Sequence, residues 1–354
     1  MNRHLVIALL GACLALGLSA AVQAGGDVDW KPPPFKNALE KAKQENEPIF
    51  IDFFAVWCGP CKTLDKVTYQ DPKVVEYLNS IVAVKYDAEK DEGEVLAKRY
   101  RVKAFPTLML VGPDGREIDR HVGYLDPDGF IETMKGFEEG FGTVVYYEDL
   151  LEKNPDDTDA LYALGVKYAE AVRPDDAEAT FDKLLKIDPD NENKAGIYFH
   201  LGNSMRADER NEDAIKYLNK VITEYPDAEV HDEALQMLAR AYFELDQKEK
   251  SLESYQALLA RHPDDPKMMN GFAWFCAQRK FGFDQALPVA LKAVELSNRD
   301  PGNLDTLAEL YYAMGDYDNA IKVGEEAAKQ EPDDQYFKDQ LNKYRKAAGE
   351  QASR

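Results

Sequence analysis

Up to about residue 140, short apolar runs alternate with mixed polar segments. Pro48-Ile49-Phe50-Ile51-Asp52-Phe53-Phe54-Ala55 is apolar and β-prone, so it reads as a buried strand. Residues 81–86, Leu108-Met109-Leu110-Val111 and residues 117–122 read as further strands, with Gly112-Pro113-Asp114-Gly115 as a turn. Between them, residues 41–47, 62–67, 94–100 and 126–135 read as helices. The order predicts an α/β domain.

Beyond Gly140 the strand pattern ends, after a glycine-marked boundary at residues 136–142. Leu164-Gly165, Tyr168, Ala177, Phe181 and Pro189 recur 37 residues later as Leu201-Gly202, Met205, Ala214, Leu218 and Pro226. A further 37 residues give Leu238-Ala239, Tyr242, Ser251, Tyr255 and Pro263. A less regular unit over residues 267–300 has Ala273-Trp274, Ala286 and Ala290, with Asn298 at the proline position. A fifth has Leu307-Ala308, Tyr311, Ala320, Gly324 and Pro332. This recurrence resembles the tetratricopeptide repeat, which implies an all-α solenoid of about five helix pairs. Small residues let the helices approach, aromatics fill the space between, and each proline ends a second helix. Residues 146–154 read as a lone leading helix and 335–346 as a capping helix, with 347–354 a disordered tail. The motif positions are core. A binding surface belongs on the concave face of the first helices, where Tyr162, Lys167, Asn203, Arg206, Arg240, Asn270 and Gln278 are expected exposed.

Charge narrows the partners. The formal net charge is −22; residues 27–140 hold 16 basic and 22 acidic side chains, and residues 141–354 hold 26 and 43. No basic patch or arm is present, so nucleic acid is not an expected partner. An acidic array favours basic or partly unfolded apolar segments, or simply keeps the chain soluble.

Trp57-Cys58-Gly59-Pro60-Cys61-Lys62 carries the chemistry. It follows a strand and opens a helix, so Cys58 falls at a helix amino end, where unpaired N–H groups and the helix dipole favour a thiolate. A thiol at the ordinary pKa of about 8.5 is only a few per cent ionised at pH 7, so such a shift separates a reagent from a packing residue. The stretch resembles thioredoxin over roughly residues 30–139. Asp52, six residues before Cys58, matches the family's buried acid; Phe105-Pro106-Thr107 matches its cis-proline site; Val122-Gly123 matches the glycine beside its substrate groove. Residues 71–78 resemble an insertion of the periplasmic branch, as in the carboxy-terminal domain of the disulfide-transporting reductases. Two departures stand out. Phe105 is bulkier than the usual residue before the cis-proline, and no lysine clearly faces the buried acid; Ala83 falls near that place and Lys85 is a candidate.

The resemblance implies a redox-active Cys58–Cys61 disulfide and no other cofactor. Cys58 is the exposed attacking thiol, Cys61 the resolving thiol and Asp52 its proton acceptor; Trp57, Gly59, Pro60, Phe105, Pro106 and Gly123 line a substrate groove. A zinc reading needs a second ligand pair, and the five histidines (His4, His121, His200, His231, His262) are scattered, so no metal is expected. A purely structural disulfide gains little from closing so short a loop. Cys276 is left as a buried residue of the fourth first-helix.

The amino terminus places the chemistry. A polar start, an apolar stretch over residues 5–18 and Ser19-Ala20-Ala21-Val22-Gln23-Ala24 read as a secretory signal cut after Ala24. An uncleaved anchor or lipid attachment at Cys13 are the alternatives. The expectation is therefore a periplasmic or secreted protein with a signal at 1–24, a thioredoxin-like domain at 28–140 and repeats at 143–346. It exchanges thiols with protein disulfide clients and an external thiol donor or acceptor, while a protein partner sits on the concave face. A non-catalytic chaperone-like interaction protein and a thiol reductant for cytochrome c assembly are the competing readings.

Overall fold

The structure, a computed structural model, describes residues 27–32 and 34–352. The signal sequence expected at residues 1–24, with Cys13, lies outside the described residues. Among those described, no helix is long and apolar enough to cross a membrane. They divide into two compact units: one holds residues up to Leu96 with 105–117 and 123–139, the other 97–104, 118–122 and everything from Gly140 on.

Four strands, β1 (Ile49–Phe54), β2 (Val82–Asp87), β3 (Thr107–Val111) and β4 (Glu117–Val122), form one sheet in the order β2-β1-β3-β4. β1 runs parallel to β2 and antiparallel to β3. Its central place explains why its sequence is apolar apart from Asp52, since Ile49, Phe50, Ile51 and Phe53 are all fully buried. The helices here are α1 (Phe35–Glu45), α2 (Gly59–Lys66), α3 (Pro72–Ser80), α4 (Asp91–Arg99) and α5 (Pro127–Glu139).

Several boundaries differ from those read in the sequence. α1 begins six residues earlier than expected and ends at Asn46, whose φ of 52° is left-handed. α3 accounts for the insertion at residues 71–78: Asp71 caps it by accepting from the Lys73 N–H, and Pro72 opens it. Gly136, read as part of the boundary, lies inside α5; Gly140 and Gly142, at φ 76° and 74°, make the break that follows.

The second unit carries a leading helix, α6 (Val144–Lys153), and five antiparallel pairs. These are α7 (Thr158–Glu170) with α8 (Pro174–Ile187), α9 (Lys194–Ala207) with α10 (Asn211–Glu224), and α11 (His231–Glu244) with α12 (Lys248–Arg261). Then come α13 (Pro266–Arg279) with α14 (Phe283–Leu296) and α15 (Pro301–Met314) with α16 (Tyr317–Gln330). Gly165 and Gly202 are required by close approach: a Cβ would lie 2.4 Å from Phe181 Cε1 in one case and 2.6 Å from Leu218 Cγ in the other. Pro189, Pro226, Pro263 and Pro332 each follow the residue that caps a second helix. In the fourth unit, where that proline is missing, Asn298 and Arg299 turn the chain with φ of 52° and 61°. The final helix, α17 (Gln335–Ala352), runs past the expected end at 346. Residues 347–352 are thus helical rather than a disordered tail; Leu341 and Tyr344 are buried and anchor the helix, and nothing after them breaks it.

Candidate active site

β1 delivers the chain to the base of α2. Cys58 is the N-cap of α2, with φ −70° and ψ 112°, and its Sγ accepts from the Cys61 N–H at 3.1 Å. Pro60 sits in the first turn of α2, where its missing N–H costs nothing. Cys58 and Cys61 are joined in a disulfide with their Cα atoms 5.3 Å apart. The backbone N–H that meets Cys58 Sγ is one of the unpaired donors at the helix start, placed to stabilise negative charge on that sulfur once the bond is reduced.

Cys58 was expected to be exposed, and in this disulfide form it is not: both cysteines are only 2 % exposed. Cys58 is bonded to Cys61 and packs with it in a cluster with Ala55, Phe54 and Phe105. Trp57, by contrast, is 65 % exposed. Its ring meets Phe105 edge-on with centroids 5.9 Å apart, and its indole N–H donates to the Glu89 carboxylate at 3.0 Å. The large residue before the proline thus packs against the tryptophan that flanks the disulfide.

The Phe105–Pro106 peptide bond is cis. Gly123 closes the loop beside it, donating its N–H to the Pro106 carbonyl at 2.9 Å with φ 116°, a conformation that favours glycine. A Cβ at Gly59 would meet open space.

Below α2, Asp52 is fully buried at the centre of β1. Burial pushes its carboxyl above the ordinary carboxylate range, opposed by the ammonium of Lys85 and by the Tyr69 hydroxyl. Strand register puts Lys85 on β2 directly opposite Asp52, while Ala83 faces Phe50. Lys85 Nζ lies 3.2 Å from Asp52 Oδ2 as an ion pair, and neither carboxylate oxygen has a well-formed hydrogen bond. Lys85 also pairs with Asp65 on α2 and lies 5.7, 5.0 and 5.1 Å from the ring centres of Trp30, Phe54 and Tyr69. The lysine that sequence reading left open is therefore Lys85. Pairing residues 52 and 85 across adjacent strands was the signal that would have found it. Asp65 and Glu89 were missed altogether, because only the tertiary fold brings them to Lys85 and Trp57.

In the repeats, Cys276 is fully buried on α13, and burial pushes its thiol up to about 12. Of the residues expected exposed on the first helices, Gln278 is; Tyr162, Lys167, Asn203, Arg206, Arg240 and Asn270 are half-buried.

A central mixed sheet, a helix-capping CxxC disulfide, a buried acid and a cis-proline define a thioredoxin-like domain of the thiol–disulfide oxidoreductase class. Comparison with known proteins agrees. A family model for the thioredoxin-like domain matches residues 35–138, and tetratricopeptide-repeat models match 142–196, 205–269 and 304–336. Residues 270–303, between the last two matches, contain most of the irregular fourth repeat. Thioredoxin from Borreliella burgdorferi is 34% identical over 103 residues, covering 29% of this chain and 84% of that protein. The thiol:disulfide interchange protein DsbD of Pseudomonas fluorescens is 30% identical over 105 residues, 28% of this chain and 18% of that much longer protein. Among solved structures, a putative disulphide-isomerase from Bacteroides thetaiotaomicron shares 39% identity, covering 33% of this chain and 97% of that one, with a TM-score of 0.30. The chain belongs to the thioredoxin family through its first domain, followed by tetratricopeptide repeats.

Proposed function

We propose that this protein is a periplasmic or secreted thiol–disulfide oxidoreductase that reduces or isomerises protein disulfides, its repeats recruiting clients or partners. The observation that carries the reading is the Cys58–Cys61 disulfide at the start of α2, with a helix N–H on Cys58 Sγ and the Asp52–Lys85 pair beneath. The signal-like amino terminus supports the location.

An external thiol donor first reduces the disulfide, supplying two electrons and two protons. Cys58 thiolate then attacks a client disulfide, forming a mixed disulfide and releasing one client thiolate, which takes a proton from solvent. Asp52 accepts the Cys61 proton through water, since a carboxyl raised by burial is a better base than an ordinary one. Cys61 attacks Cys58 Sγ, the Cys58–client bond breaks, and the second client thiolate takes up a proton. The client gains two electrons and the Cys58–Cys61 bond re-forms. Trp57, Gly59, Pro60, Phe105, Pro106 and Gly123 form the groove that holds an extended client segment beside Cys58.

The test is trapping. Cys61→Ser leaves the attacking thiol but removes the resolving one, so mixed disulfides with clients accumulate and are released by dithiothreitol. Cys58→Ser traps far less. Equal capture of the same clients by both variants would refute the assigned roles.

A further inference from the structure

One core position sets the fifth repeat apart. On successive second helices it holds Phe181, Leu218, Tyr255, Ala290 and finally Gly324. Phe181 and Leu218 fill the space beside Gly165 and Gly202 from within their own repeats. In the fifth repeat Ala308, Ala320 and Gly324 are all small, and the side chain packed against them is the fully buried Tyr344 of α17. A Cβ at Gly324 would lie 3.2 Å from two atoms of the Tyr344 ring and 3.7 Å from Leu341 Cδ1. α17 also partners two acids of α15, Asp305 and Glu309, each only 7 % exposed. The Tyr336 hydroxyl donates to Asp305 Oδ2 at 2.9 Å, the Tyr344 hydroxyl donates to Glu309 Oε2 at 3.1 Å, and Lys343 pairs with that same oxygen. Lys343 Nζ lies 4.6 Å from the centre of the Tyr312 ring. The link between α16 and α17, Glu331-Pro332-Asp333-Asp334, is exposed and carries three carboxylates and no cation. Its ends are fixed: Glu331 caps α16, and Asp334 Oδ1 accepts from the Tyr336 N–H at 2.8 Å.

We propose that this socket exchanges its occupant: two copies of the chain trade α17, each seating Lys343 and Tyr344 in the fifth repeat of the other, in a two-fold symmetric dimer. The socket specifies a helix with a Lys-Tyr pair, a leucine three residues before that tyrosine and a second tyrosine just over two turns earlier. α17 carries this whole pattern, so the occupant that fits is another α17. Its contacts are the same in both states and cancel. What differs is the link. Folded back, with the Asp334 N–H on the Glu331 carbonyl at 3.2 Å, it holds three carboxylates in one turn. Opened, it lets them separate, and short links of this kind invite exchange. Exposed charges act within about 8 Å at physiological salt, so the turn feels its own carboxylates while the overall repulsion between two acidic copies is screened. The gain is small, so exchange depends on protein concentration.

Exchange sets residue 345 of one copy against residue 325 of the other, since Arg345 Nη2 and Glu325 Oε1 pair at 2.7 Å between α17 and α16. Glu325→Cys and Arg345→Cys are therefore made in separate chains, each also Cys58→Ser/Cys61→Ser, and the two are mixed and oxidised. A disulfide-linked heterodimer in several-fold excess over either homodimer is expected. Light scattering on the unaltered chain shows the dimer share rising between about 1 and about 200 μM at physiological salt. Glu331→Gln/Asp333→Asn relaxes the link and returns the chain toward monomer; an unchanged dimer share refutes the link as the cause. A fluorescein-labelled peptide of residues 335–352 binds the full chain by anisotropy, at a rate that levels off with peptide concentration because the resident α17 must leave first. Tyr344→Ala or Lys343→Gln in the peptide weakens it at least about tenfold. Gly324→Leu in the chain, which restores a large residue, abolishes binding; the peptide series on the unaltered chain decides the matter even if that variant misfolds. No peptide binding overturns the exchange. Binding by a chain that stays monomeric and gives no excess of heterodimer overturns the second copy as occupant. A dimer that forms without the heterodimer disulfide has its contact elsewhere and overturns the exchange as well.

Discussion

Replacing Lys85 with Met should make the stability of the thioredoxin-like domain depend on pH in a way set by Asp52. Met keeps much of the apolar stem against Trp30, Phe54 and Tyr69 but removes the ammonium 3.2 Å from Asp52 Oδ2. Part of the cost is independent of pH above the acid range: the lost contacts of the cation with the rings and with half-exposed Asp65, together about 1–2 kcal/mol. The rest concerns a fully buried carboxylate. Its pKa in the folded protein is already raised by burial, so stability falls as pH rises from the ordinary carboxylate range through the raised value. Without Lys85 the folded pKa moves higher still, and the loss continues to higher pH at about 1.4 kcal/mol per pH unit. Breaking a buried pair bounds the total near 3–5 kcal/mol. The difference between wild type and Lys85→Met is therefore smallest at pH 4 and largest near pH 8. The assay is urea unfolding from pH 4 to 8 in a Trp274→Phe background, so that fluorescence reports Trp30 and Trp57, the other two tryptophans of the chain. Adding Asp52→Asn should flatten the pH dependence while leaving the constant part. A difference independent of pH, or one that survives Asp52→Asn, would refute the account of Lys85 as the counter-ion of an ionisable Asp52.

Dithiothreitol-driven insulin reduction should disappear in Cys58→Ser and stay near wild type in Cys276→Ser, since the Cys276 thiol is buried and pushed up to about 12; loss of turnover in the second variant would show that this thiol takes part. Gly165→Ala sets a methyl 2.4 Å from the fully buried Phe181 ring and should destabilise the repeats by about 1–3 kcal/mol, a loss largely relieved by adding Phe181→Leu; additive costs in thermal unfolding would mean the contact is not the cause. Glu89→Gln should weaken the hold on the Trp57 indole and shift its fluorescence and its quenching by acrylamide, with the Cys58–Cys61 pair still able to form; an unchanged Trp57 signal would remove Glu89 from the site.

The sequence by itself carried the class of each part. A β1 that is apolar on both sides of a single acid reads as a buried strand, and a CxxC between strand and helix leaves few chemistries. A 37-residue recurrence of small and aromatic positions specifies helix pairs that bury one another. These features are local or periodic, so one dimension suffices to hold them. What the tertiary structure decided is everything that depends on which side chains meet. Register across two strands made Lys85 the partner of Asp52, although 33 positions separate them in the chain. Cys58, which its helix-start position suggested would be open, is buried in its disulfide with Phe54 and Phe105 packed against it. Stacking of successive first helices brought Arg279 of α13 within 3.7 Å of Glu244 on α11, 35 positions earlier in the chain. Composition averages charge over the whole surface, whereas recognition depends on potential within a few ångströms, and only the fold sets those distances.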